Sequence, residues 1–124
     1  MVRRLLVVFL LSASIGCATL TPPASLTGPG RTAFYANEVS IAFGTVQHAA
    51  IELNRVALLS EANTRGVVEV TTDVITTLKQ APEGWQAAAA TGLERVTQRL
   101  DAAGKTQLDP YLHGAATIIR ELKP

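Results

Sequence analysis

Three observations predict an all-α fold, a small up-and-down bundle of about four helices with the first the longest. Apolar residues recur at alternating spacings of four and three from Tyr35 to Val56, three heptads without a break, and this is the period of one helix face. Pro82 with Gly84, and Gly104 with Pro110, divide the remainder into helix-length pieces. The segment from Val68 to Leu78 alternates as a strand would, but no second strand-like segment exists to pair with it.

In chain order, the 124 residues open with Arg3 and Arg4, an apolar run from Leu5 to Leu11, and the small-residue stretch Ser12-Ala13-Ser14-Ile15-Gly16. That layout of charged, apolar and small regions is read by export machineries, so residues 1–16 are expected to be a signal peptide outside the fold. The chain's one cysteine follows directly. Ser14-Ile15-Gly16-Cys17 resembles the lipobox of bacterial lipoproteins, with Ser14 where a larger apolar residue is commonest. The resemblance covers the signal alone. It implies a lipid on Cys17 and, with Ala18 rather than aspartate next, the periplasmic face of the outer membrane in a Gram-negative cell. The alternatives are ordinary cleavage near Gly16 or Ala18, or an uncleaved helix through Leu20. Leu5 to Leu20 is about sixteen residues, short of the ~20 that a bilayer core needs.

Losing the signal removes two of eleven basic residues and leaves a net charge of about −1 against ten acidic ones. Neither a nucleic-acid footprint nor a polybasic membrane patch is present in that balance. With Cys17 acylated, no thiol is left for a disulfide or a redox centre.

Residues 17–31 contain Pro22, Pro23, Gly28, Pro29 and Gly30 among Ser and Thr, with no apolar period. They are expected to be a linker carrying one domain, 32–124, of about ninety residues. The first helix is expected over 32–58, roughly 40 Å long. Its stripe is Tyr35, Val39, Ala42, Val46, Ala49, Leu53 and Val56, while Phe34, Ile41, Phe43 and Ile51 lie off it. One neighbour could not cover that much apolar surface, so packing on two sides is expected. Gly44 weakens the helix by up to ~1 kcal/mol relative to alanine, and close approach of a neighbouring helix is the expected compensation.

Ser60 and Glu61 make an N-cap and an acidic first turn for a second helix running to about Gln80. Its inward face would be Val67, Val70, Thr71, Val74 and Leu78. Pro82-Glu83 opens a third helix with Trp85, Ala89, Leu93, Val96 and Leu100 inward, stopped by Gly104. Asp109-Pro110 would cap and start a fourth, with Tyr111, Ala115, Ile118 and Leu122 on one side.

Chemistry-bearing residues are sparse. His48 and Glu52 share a helix face, but a metal site needs a third ligand, and His113 is the only other histidine. Glu69 and Asp73 are four apart on an expected exposed face, where a solvated surface is the natural reading. Neither Ser40 nor Ser60 lies in a G-x-S-x-G elbow, and Gly28 and Gly30 do not form a phosphate cradle. Trp85 is expected to seal the bundle near the Pro82 turn.

No catalytic residue, cofactor or metal is therefore expected, nor any nucleic-acid partner. The expected function is a non-enzymatic envelope lipoprotein, a protein-interaction or structural module held at the membrane by Cys17. Val39, Ala42, Val46, Ala49, Leu53 and Val56 are its candidate contact with an envelope protein or another copy, since sustained heptads serve intrachain and intermolecular packing alike. The alternative is a small ligand- or metal-binding bundle using His48, Glu52 and His113.

Overall fold

The computed structural model describes residues 28–122; the expected signal peptide and Cys17 lie outside them. Four helices follow one another as α1 (Gly28–Arg55), α2 (Glu61–Gln80), α3 (Trp85–Gln98) and α4 (Ala102–Glu121), with a 3₁₀ turn at Pro82–Gly84 before α3. The bundle is all-α, up and down, with no strand among the described residues. None of these helices is long and apolar enough to cross a membrane.

α1 is the longest helix and the hub. It packs along both α2 and α4, while α3 lies mainly on α2 and meets α4 only thinly. The expected two-sided burial is present: Tyr35, Val39, Ala42, Val46 and Ala49 are buried, with the line Ala36, Phe43 and Ala50 buried on one flank and Glu38 on the other. The helix begins four residues before the expected start, with Pro29 in its first turn, where the missing N–H costs no helical bond. It ends earlier than expected, at Arg55. The Leu58 N–H bonds the Leu53 carbonyl at 2.8 Å and the Ala57 N–H bonds that of Asn54 at 3.0 Å. This is a Schellman closure, and it puts Ala57 at φ 61°, a left-handed conformation more often given to glycine.

α2 is helical through its β-branched run. Burial at Val67, Val70, Thr71, Val74 and Leu78 follows the helix period, not alternation. The buried Thr71 hydroxyl donates to the Val67 carbonyl at 2.8 Å, which leaves no polar group orphaned in the core.

The third and fourth helices divide at a different place from the expected one. α3 stops at Gln98, and Asp101 caps α4 with extended backbone and a 2.8 Å bond from the Gly104 N–H to its carboxylate. Gly104 therefore lies in the first turn of α4 and does not terminate α3. Asp109-Pro110 falls inside the helix and starts nothing. Proline there deprives the Thr106 carbonyl of its helical donor, but both residues are exposed, so water can replace the lost bond. The earlier start makes Leu108 a fully buried residue and leaves Tyr111, expected inward, exposed.

Glycine is required where α3 meets its neighbours. A Cβ on Gly92 would stand 2.7 Å from both Phe43 Cζ on α1 and Val74 Cγ2 on α2. Gly44 is the reverse of its expectation, because nothing lies within 4 Å of the position its Cβ would take. Trp85 is buried after the Pro82 turn and stacks on Tyr35, with centroids 5.0 Å apart and planes at 26°.

Gly92→Ala should lose about 1–3 kcal/mol of unfolding free energy through overpacking. Gly114→Ala, on the open side of α4, should gain about 0.5–1 kcal/mol from helix propensity. Urea titrations of both variants would read these opposite signs.

Candidate functional site

The expected contact stripe is the chain's own core. Val39 and Val46 are fully buried, Ala42 and Ala49 nearly so, and Leu53 is half-buried against the same cluster. Only Val56 is exposed, and it lies past the end of α1. A partner could not reach this stripe without displacing α2 or α4.

The outward face of α1 is what remains open. Ile41 is 53% exposed and Ile51 40%, and Val56 and Leu58 continue the apolar exposure into the turn before α2. Between the two isoleucines lie Gly44, Thr45 and His48. Sequence reasoning had identified Ile41 and Ile51 as off the stripe and expected a neighbouring helix over them. α2 and α4 instead take the flanks of α1, and Phe43 alone of the large off-stripe residues is completely buried.

His48 and Glu52 both lie exposed on α1, and Glu52 is paired with Arg55 at 3.1 Å. His113 is on α4, in the cleft of about 290 Å³ that the thin α3–α4 contact leaves, with Leu93, Thr97, Lys105, Asp109 and Leu112. Among the described residues no group of three His, Cys, Asp or Glu side chains converges to hold a metal ion.

Glu69 and Asp73 are not a free carboxylate pair. Each bonds an arginine, Glu69 with Arg99, the C-cap residue of α3, and Asp73 with Arg95 within α3, the latter at 2.6 Å. Two acidic residues four apart on α2 thus meet two basic residues four apart at the end of α3. The match is invisible within either helix alone. Both pairs are about half exposed, so they fix the register of the α2–α3 contact more than they stabilise it. A second cleft, of about 270 Å³, opens beside the Asp73–Arg95 pair between α2 and α3, floored by Val74, Ala88 and Gly92.

The serines are structural. Ser40 donates to the Ala36 carbonyl at 3.0 Å, and Ser60 caps α2 by accepting from the Asn63 N–H at 3.2 Å.

One polar constellation escaped the sequence analysis. Asn63 is buried at the end of the bundle where α2 and α4 begin. Its Nδ2 donates to Ser60 Oγ at 2.8 Å, and its Oδ1 accepts from the Asp101 N–H at 3.0 Å. One side chain therefore ties together two helix caps, reaching Asp101 across 38 residues of sequence. Gly104 makes room for it, since a Cβ there would come 2.8 Å from Asn63 Cγ. The Asp101 carboxyl is held below its ordinary value of 3.8, first by the Gly104 amide and then by the Asn63 side chain. No signal short of pairing the two caps could have found this residue.

Comparison of the chain with protein-family models, curated proteins and solved structures finds no match.

Asn63→Ala should cost about 1–3 kcal/mol, because it removes a buried side chain that bonds both caps and leaves the part-buried Asp101 amide without its acceptor. A group with a lowered folded pKa contributes stability that is present above its unfolded value and lost as pH falls through the folded one. The Asp101 contribution is therefore complete above pH 3.8 and fades below it. Melting curves taken from pH 5 down to pH 2 should show Asp101→Asn less acid-sensitive than the unaltered chain. Equal acid sensitivity would exclude this carboxylate as a source of the dependence.

Proposed function

We propose that the chain is a non-enzymatic lipoprotein of the bacterial envelope, a helical interaction or structural module held at a membrane surface by a lipid on Cys17. The observation that carries the reading is the pairing of the lipobox-like Ser14-Ile15-Gly16-Cys17 with a domain whose longest helix leaves Ile41 and Ile51 uncovered. Scattered surface apolar residues need no explanation, but two on one face of one helix, continued by Val56 and Leu58, form a patch of the sort that marks protein contact sites. The polar groups with definite geometry, Ser60, Asn63, Asp101 and the two α2–α3 ion pairs, serve caps and helix register. The proposed location is the periplasmic face of the outer membrane in a Gram-negative cell, and no nucleic-acid partner is proposed.

Cys17→Ser should move the protein from the membrane to the soluble fraction and remove the lipid from its intact mass. Membrane retention with an unmodified mass would refute the anchor.

A further inference from the structure

The outward face of α1 has the symmetry of a contact with itself. On this face a second heptad line runs through Asn37, Ile41, Gly44, His48, Ile51 and Arg55, at spacings of four, three, four, three and four. Every member is exposed except Gly44, which is half-buried by its own backbone environment. We propose that this face pairs with the same face of a second copy, antiparallel, about a two-fold axis at the level of Val46. The proposal rests on the interaction-module reading and names the partner.

Antiparallel pairing about that axis puts Ile41 of each copy against Ile51 of the other. A contact of this kind is isologous, so it closes on itself and forms a dimer without propagating.

Charge selects the direction. A parallel pair would stack Glu52 on Glu52, Arg55 on Arg55 and His48 on His48. The antiparallel pair puts Arg55 opposite Asn37, Glu52 opposite Ser40 and His48 opposite Gly44, with no like charges facing.

Gly44 supplies an independent argument. A glycine in the middle of a helix costs about 1 kcal/mol relative to alanine, and nothing among the described residues lies within 4 Å of the position its Cβ would take. The two-fold axis brings the His48 side chain of the other copy to that space. The residue's small size is then used between chains.

The area is sufficient for a reversible dimer. A strip from Phe34 to Arg55 is about 32 Å long, and at ~15 Å wide it removes roughly 500 Å² from each copy. The total of about 1,000 Å² is at the lower end of specific interfaces. Confinement of both copies to one membrane surface would raise their effective concentration and favour such a contact.

The test uses the full-length protein in its membrane and disulfide trapping on non-reducing gels, with the unaltered chain as the control for Cys17. Thr45→Cys, next to the axis, should trap a covalent dimer. Asn37→Cys should not, because in the antiparallel pair its two copies are 18 residues apart along the helix, about 27 Å, far beyond the ~7 Å between Cα atoms that a disulfide tolerates. Adding Ile41→Asp and Ile51→Asp to Thr45→Cys should cut trapping at least tenfold while leaving the circular dichroism melt in place, since both isoleucines are exposed. Equal trapping at positions 37 and 45 would overturn the antiparallel pairing. Trapping unaffected by the aspartates, or none at position 45 in a folded protein, would overturn the dimer. If position 45 captured a different envelope protein and never itself, the second copy would be excluded and the interaction-module reading would stand. Capture of nothing at all would remove both.

Discussion

α1 carries more apolar surface than any single neighbour can hide, and the rest of the bundle is arranged around that excess. Tyr35, Val39, Ala42 and Val46 fill the interior line, and Phe43 and Ala50 broaden it, so the helix has to be flanked by α2 on one side and α4 on the other. Fully burying a valine or phenylalanine side chain contributes about 1.5–3 kcal/mol. Several such residues on one helix outweigh anything the exposed ion pairs supply. α3 then finds its place on α2 and reaches α1 at Gly92, where Phe43 and Val74 come close together, and at Trp85, which stacks on Tyr35. The ladder of Glu69 with Arg99 and Asp73 with Arg95 follows from that placement and gives it a register.

Polar chemistry in this domain acts at the helix ends. Ser60 and Asp101 each satisfy a free N–H at the start of a helix, and Asn63 joins the two caps from a buried position. A buried amide with both functional ends bonded specifies an arrangement as well as stabilising it, because any slip of α4 along α2 would leave a donor or acceptor without a partner. The opposite reaches of α1 are finished by stacking, with Trp85 on Tyr35 and Phe34 edge-on to Tyr35 at 5.9 Å.

The helices and most of the core could be read from the sequence because apolar periodicity is a local signal. The inward faces of α2 and α3 and the Ser60 cap are where the spacing puts them. Helix ends inside a polar stretch were harder to place, because Asp101 and Asp109 are equally good caps by residue type. What separates them is whether Leu108 goes into the core, a tertiary fact. The same holds for Gly44 and Gly92, two helical glycines of which only the second touches a neighbouring helix. The contact stripe was a correct helix face assigned to the wrong use, since periodicity shows that a face is buried and does not show by what. Asn63 and the arginines of α3 were not legible because their partners lie 22 to 38 residues away.

The packing of α4 against α1 joins the first and last of the described helices. A ribosome delivers α1 first, so its α4-facing flank has no cover until Ala115 and Leu122, both buried, have been made. The earlier helices can form a hairpin through local contacts, but the ring closes only once α4 has been made. During that interval this flank is available to other apolar surfaces. The bundle depends on α4, and loss of the turn that holds Leu122 would be felt in α1.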